Sequence, residues 1–240
     1  MEPATLAAWN EGAQKQTPQQ ILARAIQAFG PRLAIASSFS AEDNIVLDVA
    51  WRVSRRFRVV TLDTGRLHPE TVDVMERVRV HYGVTVEVYA PQTDAVEQLV
   101  TLKGLQSFKN SVEDRQECCR IRKVEPLARA LANADAWATG LRAQQSVTRA
   151  GLQPYELDGA GRVKVNPLWR FTDDDVRAYL KEHYEVPVNA LHAQGYPSIG
   201  CAPCTRAVQP GEDPRAGRWW WEQQAEHKEC GLHPRSRDAA

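Results

Sequence analysis

Five cysteines carry the chemistry that can be read first: the neighbours Cys118-Cys119, the Cys201-Ala-Pro-Cys204 pair and a lone Cys230. Two pairs can supply four thiolates to one metal centre, which leaves the fifth thiol as a candidate nucleophile. A CxxC turn suits either zinc or an iron–sulfur cluster. Adjacent cysteines discriminate between them, because consecutive side chains on a helix diverge by about 100°. That geometry suits a single tetrahedral ion poorly, whereas a larger cluster offers several iron corners. Buried, unliganded thiols are the plain alternative. Arg120, Arg122 and Lys123 follow the first pair. If 115–125 is helical, Cys119 and Lys123 are i,i+4 neighbours, placing a cation beside an anionic centre or an anionic substrate. A solvated basic helix face is the competing reading. Pro126 is expected to kink or restart the helix.

Cys230 lies in His227-Lys-Glu-Cys-Gly-Leu-His233. Lys228 and the two histidines would favour its thiolate, while Glu229 opposes it. An idle surface cysteine is the other reading of that residue. Anion-type donors cluster elsewhere: Ser37, Ser38 and Ser40; Thr64-Gly-Arg66; Arg142, Ser146 and Arg149; and Arg215 with Arg218. Backbone N–H groups at a helix start after a strand bind phosphate well. Serine and arginine also simply populate loops. Neither a Walker A motif nor GxGxxG is present, which argues against a P-loop NTPase or a dinucleotide site.

These residues need elements to hold them. The spacing predicts helices over 17–29, 43–53, 68–80, 93–103 and around 119–132, with buried strands at Leu33–Ala36, 58–62, 85–89 and 136–139. Strands alternating with helices imply an α/β fold with a mostly parallel sheet, ligands binding at the strands' carboxyl ends. The turns at 37–43, 63–67 and 140–149 would then share one rim. Residues 151–170 read as a local β excursion, and Thr172 caps a helix opened by three aspartates. Beyond 190 the pattern turns irregular. A single domain over 1–240 is expected, with about 17–210 as its core and 211–240 carrying Cys230.

Thirty Lys+Arg balance thirty Asp+Glu, so overall charge suggests neither a nucleic-acid nor a membrane partner. Met1-Glu-Pro-Ala-Thr lacks a basic stretch leading into an apolar one, and the expectation is a cytoplasmic enzyme in which cysteine clusters bind metal or catalyse.

Together Cys118-Cys-Arg-Ile-Arg-Lys-Val-Glu-Pro-Leu127, Gly200-Cys-Ala-Pro-Cys-Thr-Arg206, Glu229-Cys-Gly-Leu-His233, Leu62-Asp-Thr-Gly-Arg-Leu67 and Ser38-Phe-Ser-Ala-Glu-Asp43 resemble the assimilatory sulfonucleotide reductases. The likeness runs from about residue 20 to 233 and points to the adenylyl-sulfate (APS) branch rather than the phosphoadenylyl-sulfate (PAPS) branch. It implies an adenine-nucleotide α-hydrolase-like fold with a modified PP-loop at 37–43. It implies a [4Fe-4S] cluster on Cys118, Cys119, Cys201 and Cys204, and reduction of APS to sulfite and AMP with thioredoxin as reductant. By motif, Cys230 is the nucleophile and His233 its neighbour. The resemblance also implies that Ser37, Ser38, Ser40, Leu62, Gly140 and Arg149 would contact the nucleotide, that Lys123 would lie between cluster and sulfate, and that Arg215 and Arg218 would hold the phosphosulfate. Two departures stand out: Ala41 replaces the glycine of many PP-loops, and a short 142–149 loop leaves Arg142 and Arg149 as alternatives. A PAPS or dual-specificity reductase, a PP-loop pyrophosphatase that thiolates RNA, and a zinc-stabilised nucleotide-binding module are the rival readings. A homo-oligomer is left open.

Overall fold

The structure, a computed structural model, describes residues 1–145, 149 and 151–222. These divide into two compact units, the first formed by Met1–Thr61, Asp73–Glu87 and Leu131–Asn189, the second by Leu62–Val72, Val88–Ala130 and the chain from Ala190 on.

The first unit is built on a six-stranded sheet in the order β3-β2-β1-β4-β6-β5. Its strands are β1 (Leu33–Ala36), β2 (Arg58–Leu62), β3 (Val86–Tyr89), β4 (Ala136–Ala138), β5 (Tyr155–Leu157) and β6 (Val163–Val165). β1 pairs in parallel with β2 and β4, and β6 pairs in parallel with β4; the hairpin partner β5 runs antiparallel to β6. The expected α/β class holds. The 151–170 excursion is more than local, because β6 extends the main sheet beyond β4.

Four short apolar residues suffice for β1 because it is central and covered on both faces: Leu33, Ala34 and Ile35 are fully buried. On one face Leu33, Ile35, Ala136, Ala138, Val163 and Val165 pack with Ile21, Leu22, Ala25 and Ile26 of α2 (Pro18–Phe29) and Ile45, Val46 and Val49 of α3 (Ala41–Val53). α2 starts at a capping box in which Thr17 and Gln20 exchange hydrogen bonds, with Pro18 at the first helical position. Leu47 of α3, Val59 of β2 and Val74, Val78 and Tyr82 of α4 (Pro69–Tyr82) form a second cluster. α8 (Asp173–Glu182) opens on Thr172 in the predicted way, Thr172 and Asp175 exchanging hydrogen bonds.

The first helix, α1 (Pro3–Ala13), has no counterpart in the sequence reading. Ala13 is its one fully buried residue, but half-buried Leu6 and Trp9 share that face and pack on the sheet's core, Trp9 edge-on to Phe29 and Tyr155. Asn10 adds a polar tie, donating to the Tyr155 carbonyl at 2.9 Å and accepting from the Tyr155 N–H at 3.0 Å.

In the second unit α5 (Thr93–Lys103), α6 (Val112–Cys119) and α7 (Glu125–Ala130) surround a small core of Leu99, Phe108, Cys118 and Ile121. Between α6 and α7, Arg120–Val124 form a π-helical turn, in which the Glu125 N–H donates to the Arg120 carbonyl. The widened turn comes directly before Pro126, which cannot donate and whose ring collides with a carbonyl four residues back in α geometry. The helix expected around 119–132, with a kink or restart at Pro126, is interrupted ahead of the proline, just behind the cysteine pair. Among the described residues no helix is long and apolar enough to cross a membrane.

Candidate active site

The strand order reverses beside β1, with β2 on one side and β4 on the other, which opens a crevice at the carboxyl ends of β1 and β4. Two of the predicted turns meet there. Asp43, in the first turn of α3, is buried and accepts from the Ser38 N–H at 2.7 Å, the Ser38 Oγ at 2.6 Å and the Gly140 N–H at 2.9 Å. Burial pushes its carboxyl above the usual range even though those donors favour the charged form. Ser37 is buried; its Oγ accepts from the Phe39 N–H at 3.1 Å and its carbonyl accepts from Thr61. Phe39 sits in the left-handed region at φ 57° with its side chain buried against α3 and β2. For a bulky residue this is a strained conformation held by packing. Ser40 is the N-cap residue of α3, its side chain making no capping bond, and α3 begins at Ala41, where many PP-loops carry glycine. Half-buried Leu62 ends β2.

Arg142 and Arg149 part company. Arg142 is buried and donates to Glu42 at 2.8 and 3.1 Å, to Asp173 at 2.7 Å and to the Phe171 carbonyl at 3.2 Å. Its guanidinium ties the starts of α3 and α8 together. Arg149 is half-buried and donates to Gln145 Oε1 at 2.6 Å, while Gln145 Nε2 donates to Glu42 at 3.0 Å. Gln145 thus links the two arginines to Glu42. The sequence reading had not singled it out, and nothing local marks it. Ser146, Cys230 and His233 lie outside the described residues.

In the second unit the four remaining cysteines converge on one cavity, shared with Arg66, Arg122 and Lys123. All four are free thiols; Cys118, Cys119 and Cys201 are buried and Cys204 is half-buried. Cys118 and Cys119 end α6, whose start is capped by Ser111. Cys201 precedes the short 3-10 turn Ala202–Cys204, with Pro203 inside it. That turn is pinned by the Cys204 N–H to Cys201 carbonyl bond at 2.9 Å and by the Ala202 N–H to Arg66 carbonyl bond at 2.8 Å. Cys201 Sγ lies 3.4 Å from Thr64 Oγ1.

The basic triplet divides. Arg120 is exposed, Arg122 is buried and donates to the Thr64 carbonyl at 2.7 Å, and Lys123 is half-buried. The solvated-face reading fits Arg120 alone. Burial raises the Cys201 thiol, but Lys123, the Thr64 hydrogen bond, Arg218 and Arg66 outweigh it and hold the thiol below its ordinary value. Burial and the neighbouring Cys201 push Cys204 up to about 12. Several thiols packed together cannot all ionise without an added positive centre. Among the described residues no three Cys, His, Asp or Glu side chains are grouped for a single metal ion. Four thiols lining one cavity together with Arg66, Arg122 and Lys123 suit a larger cationic group that several thiolates can share. Of the residues expected on an anion-binding rim, Arg66 lines this cavity and Thr64 touches Cys201.

Arg218 is buried, with Nη1 at 3.2 Å from Ser198 Oγ and its guanidinium 4.7 Å from the Trp219 ring centre. Arg115 stacks on the same ring and pairs with buried Glu222. Arg215 is half-buried in the turn before Arg218, whose N–H donates to the Arg215 carbonyl at 2.9 Å.

Comparison with known proteins bears on the family and the fold. The phosphoadenosine phosphosulfate reductase domain matches residues 32–207. The chain belongs to that family. The adenosine 5′-phosphosulfate reductase of Allochromatium vinosum is 54% identical over 204 residues, 85% of this chain and 79% of that protein. That of Pseudomonas aeruginosa is 46% identical over 239 residues, 97% of this chain and 88% of that protein. Among solved structures, the phosphoadenylyl-sulfate reductase from Candida auris, in a phosphate complex, superposes with a TM-score of 0.74 at 26% identity, covering 87% of this chain and 98% of that one. The family membership and the mostly parallel sheet bear out the fold and the resemblance read from the motifs.

Proposed function

We propose that this protein reduces adenylyl sulfate to sulfite and AMP in assimilatory sulfate reduction, the route that feeds cysteine biosynthesis. The observation that carries the reading is the convergence of Cys118, Cys119, Cys201 and Cys204 on one cavity beside Arg66, Arg122 and Lys123. It occurs in a chain 46–54% identical to proteins named adenosine 5′-phosphosulfate reductase. The four cysteines would hold a [4Fe-4S] cluster, which when bound supplies positive iron to the thiolates and an electrostatic environment near the substrate sulfate. The nucleotide is read by the Ser37–Ser40 loop, Leu62, Gly140 and Arg149, with Arg142 holding the frame. Lys123, Arg215 and Arg218 neutralise the phosphosulfate.

The Cys230 thiolate attacks the sulfate sulfur. A sulfur–sulfur bond forms, the bond from sulfur to the bridging phosphate oxygen breaks, and AMP leaves with that electron pair. The result is a Cys230 S-sulfonate. A thiolate of a thioredoxin-like dithiol protein then attacks the Cys230 sulfur and sulfite departs with the bonding pair. The partner's second thiol resolves the mixed disulfide and returns Cys230 to its thiol. Both electrons come from the dithiol. His233, three residues on, would assist the nucleophile.

Replacing Cys230 by Ser tests this. Sulfite release is expected to fall to background while AMP binding and the iron content stay at wild-type levels. Mass spectrometry of the wild type incubated with substrate alone should find a sulfonate on Cys230; substantial turnover by the variant would refute the assignment. A second reading, PAPS reduction, is favoured by the Candida auris structure, and kcat/KM for the two nucleotides decides between them.

A further inference from the structure

Gly200 stands immediately before Cys201, and its backbone lies outside the left-handed region. Glycine is therefore not required there by conformation. It is required by space: a Cβ on residue 200 would lie 2.5 Å from Arg218 Nη2 and 2.7 Å from Arg218 Cζ. The Arg218 guanidinium crosses the bare face of Gly200, donating to Ser198 Oγ at 3.2 Å and to the Ile199 carbonyl at 3.4 Å. Gly200 cannot easily retreat, because its N–H donates to Thr205 Oγ1 at 3.0 Å, and that hydroxyl in turn donates to the Cys201 carbonyl at 3.0 Å. The Arg218 backbone is held as well. The Arg206 N–H donates to the Gly217 carbonyl at 3.0 Å and the Trp219 N–H to the Cys204 carbonyl at 3.1 Å. A Cβ on Gly217 would come within 2.2 Å of the Arg206 carbonyl oxygen, so the two segments are pressed together. Only the guanidinium is left to move.

We propose that Gly200 is a positioning residue for Arg218: its missing side chain is the slot that fixes the guanidinium. The proposal rests on the reading of Arg218 as a ligand of the substrate's phosphosulfate. Any side chain at 200 pushes the guanidinium off Ser198 and Ile199 and out of register with the anion it serves.

The test compares anaerobically purified full-length Gly200→Ala, Arg218→Ala and the double variant, measuring kcat/KM for adenylyl sulfate and iron per chain. Gly200→Ala is expected to lower kcat/KM about tenfold, the scale of one misplaced charge-assisted contact, with iron unchanged. Because it acts through Arg218, it should cost nothing further in the Arg218→Ala background. A crystal structure of Gly200→Ala should show the guanidinium displaced and the Thr205 hydrogen bonds kept. The proposal is overturned by wild-type kinetics in Gly200→Ala, by an equal further loss in the double variant, or by loss of iron. If Arg218→Ala itself leaves kcat/KM unchanged, the substrate role of Arg218 fails, and the proposal falls with it. If Arg218→Ala is impaired and Gly200→Ala is not, the proposal alone fails.

Discussion

At Gly140 a Cβ would sit 2.7 Å from the Glu42 backbone carbon and 2.8 Å from the Asp43 nitrogen. Backbone of this kind cannot swing aside as a side chain can. Gly140 is thus the residue that lets the end of β4 close onto the start of α3 and lets Asp43 collect its donors. Gly140→Ala should destabilise the protein by about 1–3 kcal/mol, the usual cost of overpacking a filled site, and weaken AMP binding in parallel. Thermal melts and AMP titration check both; an unchanged melt would show that α3 yields more easily than its packing indicates. The same scale explains an ambiguity in the sequence. Arg142 and Arg149 are the same residue type seven positions apart, and only their partners separate them: Glu42 and Asp173 for the buried one, Gln145 for the half-buried one.

Among elements, the packing of α3 and α8 depends on that buried guanidinium. The Arg142 side chain is 6% exposed and that of Glu42 13%, so removing the arginine leaves a carboxylate largely out of water with Gln145 as its remaining donor. Arg142→Ala should therefore cost about 3 kcal/mol, near the lower end for breaking a buried pair, because half-exposed Asp173 can be hydrated. Urea unfolding would show this as a lower midpoint at similar slope. The helices and strands were largely legible from sequence. β1 and β2 fall within the predicted residues, because four apolar or β-branched residues in a row bounded by polar turns have few alternatives. α1 was not: its inward stripe is short, only Leu6, Trp9 and Ala13, and exposed Ala4, Ala7 and Ala8 blur it on the other faces. The π turn was anticipated only as a break at Pro126; it falls ahead of the proline because the ring's clash is with a carbonyl one turn back.

At the scale of the molecule, the described chain forms two compact units with different means of support. The first has a large aliphatic core around its sheet. The second has a small one, with four thiols and several cations gathered at a cavity. A group that neutralises those thiolates would contribute directly to the folding of the second unit. Anaerobically purified protein is expected to contain iron and acid-labile sulfide rather than zinc. Stripping the iron with a chelator should reduce hydrogen-exchange protection in α6, α7 and residues 201–222 while amides of β1, β4 and β6 keep theirs. Zinc without sulfide would sink the cluster assignment, and uniform loss of protection would show that the sheet also depends on it.

The sequence by itself determined the fold class, the pairing of cysteines into two and two plus one, and the family, because each is written in local patterns: strand–helix alternation, CxxC spacing and short motifs. The tertiary structure decided which like residues do unlike work. It buried Arg142 in ion pairs, linked Arg149 to Gln145, brought Thr64 and Arg66 to the cysteines, and laid Arg218 across Gly200. Apart from the local Gln145–Arg149 contact, those outcomes depend on which side chains meet across distant stretches of chain, and on whether water is excluded where they meet; neither is encoded in the spacing of neighbours.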